Sequence, residues 1–172
     1  MVEAISYEVL KKLGQVEIRK YPLIVAARVD GYGDGGFNLL FNFISGRNSK
    51  AEKVAMTAPV VSEKIAMTAP VLSEGGSISF VMPEGYTKET TPRPLDARVK
   101  IVDYPPRYLA TLRFSGRWTN RAFESRSREM MNELQKAGIE PKGVPFSMRY
   151  NAPFTPWFMR RNEVAVEVSY PV

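Results

Sequence analysis

Residues 16–31 read VEIRKYPLIVAARVDG, and residues 99–116 read VKIVDYPPRYLATLRFSG. Tyr21-Pro22 falls over Tyr104-Pro105, 83 positions on. After a two-residue insertion, Arg28-Val29-Asp30-Gly31 falls over Arg113-Phe114-Ser115-Gly116, 85 positions on. In both copies Val and Ile alternate with charged neighbours (Val16 and Ile18; Val99 and Ile101), the period of a strand with one face to a core and one to water. Tyr-Pro then turns each chain into a second strand.

The correspondence continues beyond these strands. Each copy runs into a helix candidate, then into an Ala-Pro segment, MTAPV at 67–71 and YNAPF at 150–154, whose prolines are again 83 apart. A strand closed by proline follows: ISFVMP at 78–83 and VEVSYP at 166–171. Four matched segments in one order predict two β-β-helix-β-β repeats, about 7–83 and 98–171, joined by the proline-bearing loop 84–96. The predicted class is α+β, with pseudo-twofold symmetry.

Two helices are expected. In the first, Asp34 caps the N-terminus, Phe37, Leu40, Phe41 and Ile44 form a stripe at i, i+3, i+4, i+7, and Gly46 ends it. The second runs over 119–137, with Phe123, Met130, Leu134 and Ala137 on one face and Gly138 as its stop.

The chain has 172 residues, 44% hydrophobic and 24% charged, enough for one globular domain over 1–172 with a sizeable core. No apolar run approaches the roughly 20 residues that cross a bilayer, and the N-terminus lacks a secretory pattern, so a cytoplasmic location without membrane partners is expected. Cysteine and histidine are both absent. Their absence excludes disulfides, Cys nucleophiles, Ser-His-Asp triads and His-ligated metal. A net charge of +6 and the cluster Arg117, Arg121, Arg126 and Arg128 read as a solvated helix face rather than a nucleic-acid interface, because no phosphate loop or RNP-like aromatic motif accompanies them.

A second, tandem repeat lies inside the first copy: EKVAMTAPVVS at 52–62 is followed at once by EKIAMTAPVLS. Pro59 and Pro70 force the preceding alanine into extended backbone and withhold a ladder donor, so each copy belongs at a strand start, an edge or a bulge. Met56 and Met67 supply adaptable apolar surface for a core gap or for the wall of a ligand cleft. Trp157, Phe158 and Met159, set in the polar and proline-rich NAPFTPWFMRRNE, need a partner or a ligand if exposed.

KIAMTAPV, SGRNSK after the first helix, the Tyr-Pro strands and RRNEV at 160–164 closely resemble the SOUL/haem-binding-protein family, from about residue 7 to 170. The resemblance implies two repeats in a distorted antiparallel barrel flanked by two helices. It also implies non-covalent binding of haem or another tetrapyrrole in an apolar cleft beside the first helix, for buffering or delivery by a monomer or weak homo-oligomer. Carried onto this chain, the cofactor-binding residues are Phe37, Leu40, Phe41, Ile44, Met56, Met67, Trp157, Phe158 and Met159, with Arg47 and Arg160 at the rim to meet carboxylates. Some family members ligate iron through histidine; here either burial of the macrocycle holds it, or Met, Tyr or Lys takes the axial place.

Two other readings compete. The duplicated unit also resembles the gyrase-inhibitor-like effector-binding modules, which accept varied hydrophobic or cationic small molecules. An enzyme reading rests on Glu163 and Glu167 with Tyr150 and Tyr170 as acid and base, but these are expected to be solvated strand positions, and no enzyme is expected.

Overall fold

The computed structural model describes residues 3–63, 76–150 and 160–171. In chain order these form β1 (Glu3–Ala4), β2 (Glu8–Leu13), β3 (Val16–Tyr21), β4 (Ile24–Val29), α1 (Phe37–Ile44), β5 (Thr57–Glu63), β6 (Ser77–Val81), β7 (Val99–Tyr104), β8 (Arg107–Phe114), α2 (Asn120–Ala137), β9 (Phe146–Arg149) and β10 (Asn162–Glu167). The protein is therefore α+β, with antiparallel strand pairing and two helices, as the sequence predicts.

The chain divides into two compact units, but not at the 84–96 loop. One comprises Met1–Ile5 and Ile24–Tyr104; the other comprises Ser6–Leu23 and Pro105–Val172. The first strand of each predicted repeat has changed places. Antiparallel β3 pairs with β8, Ile18 opposite Ala110, and β7 pairs with β4, Ile101 opposite Ala27. The 84–96 loop thus lies within the first unit.

In the first unit the strand order is β1-β5-β6-β4-β7, with β1 parallel to β5 and the other pairs antiparallel. Val25, Ala27 and Val29 of β4 and Ile78 and Phe80 of β6 pack with Leu40, Phe43 and Ile44 of α1. A 3-10 turn at Gly33–Gly36 precedes α1, and the N-cap is Gly36, which makes no side-chain capping bond; the helix begins beyond the expected Asp34 cap. A Cβ at Gly36 would stand 2.8 Å from Ile78 Cγ2 and 3.0 Å from Val29 Cγ1, so glycine lets the helix start close to the strands. The first Ala-Pro segment behaves as its proline requires: the β5–β6 register shifts between Thr57 and Val60, around Pro59.

In the second unit the order is β2-β3-β8-β10-β9, all antiparallel. Thr119 caps α2, its hydroxyl accepting from Ala122 N, and Gly138 ends it at φ 70°, where Ile139 N donates to Leu134 O. Met130 and Leu134 of α2 pack with Val16, Ile18, Ala110, Leu112, Val164 and Val166; Phe123 joins at the margin, while Ala137 is exposed. The expected core-and-water alternation fails on the other face of these strands. Arg19, Tyr21, Thr111, Glu163 and Ala165 are buried as well.

The sheet is not closed into a barrel: among the described residues β2 pairs only with β3, and β7 only with β4. No described helix is long and apolar enough to cross a membrane.

Candidate functional site

On α1 the core takes the stripe Leu40, Phe43 and Ile44, rotated from the one the sequence predicts. Leu40 is 0% exposed, whereas Phe41 is 49% exposed. Phe41 stacks on half-buried Phe37, ring centroids 6.3 Å apart and 12° from coplanar, and Phe37 meets Phe80 edge-on at 5.1 Å. This pair flanks the core stripe and offers flat aromatic surface. Half-buried Met56 and Leu39 pack against the same cluster.

The segment after α1 is held by one side chain. Buried Asn48 donates from Nδ2 to Phe43 O at 3.0 Å and Glu52 O at 2.7 Å, and its Oδ1 accepts from the backbone N of Lys50 at 3.1 Å and of Glu52 at 3.2 Å. The Asn of SGRNSK is thus a structural clamp that leaves Arg47 exposed beside the end of the helix. Of the predicted site residues, Phe37, Phe41 and Met56 present surface, Leu40 and Ile44 lie in the core, and Arg160 belongs to the second unit, half-buried. Met67, Trp157, Phe158 and Met159 lie outside the described residues.

The second unit holds a polar cluster in which Glu163, expected from the sequence to be a solvated strand position, is buried, and whose partner Arg19 the sequence reading missed. Arg19, 2% exposed, grips Glu163, 0% exposed, in a two-pronged pair: Nη1 to Oε1 at 2.8 Å and Nη2 to Oε2 at 2.6 Å. The same guanidinium donates to Glu17 Oε1 at 2.7 and 2.9 Å and to Tyr21 Oη at 3.0 Å, and lies 4.1 Å from the Tyr7 ring centroid. Arg161 Nη2 adds Glu163 Oε2 at 3.2 Å and Tyr7 Oη at 2.9 Å, with its guanidinium 3.9 Å from the Tyr150 ring centroid. The available signal was Glu17, Arg19 and Tyr21, three polar groups at period two on one strand face.

Burial pushes the Glu163 carboxyl up, but the hydrogen bonds and charge of Arg19 outweigh it and hold it below its ordinary 4.5. Burial and the neighbouring Glu163 charge hold Tyr150 well above the usual phenol range. Because Glu163 binds its proton more weakly folded than unfolded, its stabilising contribution is present above pH 4.5 and is lost as pH falls through the folded value. Denaturant midpoints followed into this acid range should show a slope that Glu163→Gln reduces. Equal slopes in both proteins would remove Glu163 as their source.

The SOUL heme-binding protein family profile matches residues 2–167. The chain belongs to the SOUL family. Within it, Heme-binding protein 2 of Mus musculus is 26% identical over 140 residues, covering 77% of this SOUL chain and 68% of that protein. Solved structures share the fold at much lower identity. The EcmrR C-terminal domain superposes with TM-score 0.63 at 10% identity, covering 90% of this chain and 97% of that one. A hydrolase from Listeria innocua gives 0.59 at 12% identity, covering 90% and 92%. Membership places the SOUL chain in a family defined by haem binding rather than by catalysis.

Proposed function

We propose that this SOUL protein binds haem or another tetrapyrrole without covalent attachment, on the apolar flank of α1, for buffering or delivery. The observation that carries the reading is the stacked Phe37–Phe41 pair, with Phe41 half-exposed beside a helix stripe already committed to the core. The residues fit the macrocycle better than they fit the iron. Phe37, Phe41 and Met56 supply aromatic and polarizable surface, and exposed Arg47 suits a propionate. The chain has no histidine, and among the described residues no cluster of three His, Cys, Asp or Glu is placed to hold a metal. Binding then rests on burial of apolar surface, with Met56 the nearby soft donor.

Titration with haemin and with metal-free protoporphyrin tests this. Saturable spectral changes are expected for both at micromolar concentrations, because the contact is to the ring. No saturable change with either sinks the proposal.

An effector-binding role for other hydrophobic molecules keeps the same surface. A cationic ligand is disfavoured, since Glu163, the buried carboxylate of the second unit, is saturated by Arg19 and Arg161. The same saturation argues against a Glu163/Tyr150 acid–base pair. Two pseudo-symmetric repeats within a single domain are supported by the matching strand orders β5-β6-β4-β7 and β9-β10-β8-β3, each ending on a strand from the other repeat. The reading carries a cytoplasmic monomer or weak homo-oligomer, with no nucleic-acid or membrane partner.

A further inference from the structure

We infer that the second unit holds a separate site for a small polyanion, a phosphate or carboxylate compound carrying at least two negative charges. A cavity of about 630 Å³ opens there, within the size range of small-molecule sites. Its lining includes Lys12, Arg19, Arg113, Arg160 and Arg161 against a single lining carboxylate, Glu17. Among the described residues the lining carries five cations and one carboxylate, with Glu163 behind Arg19.

The distribution of those carboxylates matters more than the count. Glu17 and Glu163 are spent on Arg19 and Arg161. Lys12 and Arg113 have no carboxylate within ion-pair distance among the described residues, yet both line the cavity. A concave, partly enclosed wall of one sign focuses its field and concentrates counter-ions.

Thr111 supplies an independent pointer. It is 1% exposed, lines the same cavity, and its Oγ1 has no hydrogen-bond partner among the described residues. A buried hydroxyl without a partner is costly, and an anionic oxygen in the cavity would accept from it. The lining is too polar for a porphyrin ring, so the site stands independently of the haem reading.

Calorimetric titration of the full chain with inorganic pyrophosphate and with citrate tests the inference, with sulfate as control, at low and at physiological salt. One-site saturable binding of pyrophosphate or citrate, stronger than that of sulfate, is expected, and which of the two binds separates phosphate from carboxylate chemistry. Arg113→Gln and Lys12→Gln, both at exposed positions, should each weaken it several-fold, and Thr111→Val should weaken it without lowering Tm. No binding of either probe, binding no stronger than sulfate, or binding unchanged in all three variants overturns the site.

Discussion

Arg19→Met is expected to destabilise the protein by about 3 kcal/mol or more, in the range measured when one partner of a buried ion pair is removed. The guanidinium is 2% exposed and makes two bonds to Glu163, two to Glu17 and one to Tyr21. Its loss leaves Glu163, 0% exposed, with Arg161 at 3.2 Å as its remaining cation. Arg19→Met combined with Glu163→Leu should be more stable than Arg19→Met alone, because no uncompensated carboxylate then stays buried. Urea unfolding of the three proteins measures both effects. A single-variant loss under about 1 kcal/mol, the range of an exposed pair, would show that the cluster is solvated.

The second expected result contrasts two neighbours on α1. Leu40→Ala should cost about 2–5 kcal/mol, as large-to-small core substitutions do, because Leu40 is fully buried between α1 and the strands. Phe41→Ala should cost under about 1 kcal/mol in stability, since half of the residue already faces solvent and the main loss is its stacking on Phe37. The order reverses for ligand: haemin affinity should fall about three- to tenfold in Phe41→Ala, the equivalent of one aromatic contact. Equal stability losses would mean that the helix is rotated differently from the described packing. Unchanged haemin affinity in Phe41→Ala would move the tetrapyrrole off α1.

Much of the architecture was legible because its signals are local. Alternating Val and Ile marked β3 and β7, and Gly138 marked the end of α2 through a cap that depends on adjacent backbone alone. Pro59 announced a strand start, an edge or a bulge for the same reason, and packing selected the bulge. The α1 stripe was legible only in part. Phe37, Leu40, Phe41 and Ile44 satisfy helical spacing, but so do Leu40, Phe43 and Ile44, and a helix of eight residues with six large apolar side chains does not reveal which side is buried. The helix was therefore legible and its buried side only in part: Leu40 and Ile44 belong to the core.

The charged cluster was misread for a different reason. Glu163 and Arg19 both alternate with valine or isoleucine, which on a two-layer sheet places them in water. Their partnership spans 144 positions, and neither residue's neighbours encode it.

By itself the sequence determined the strand-strand-helix runs β3-β4-α1 and β7-β8-α2, the proline and glycine punctuation, the absence of histidine and cysteine chemistry, and a resemblance that the family comparison bears out. Those properties follow from short-range backbone preference and composition. Only the tertiary structure decided that β3 pairs with β8 and β7 with β4, that both faces of β10 are buried, and which phenylalanine of α1 is left exposed. Strand pairing and burial are set by partners distant in the chain, so the same periodic pattern is compatible with several pairings until packing selects one.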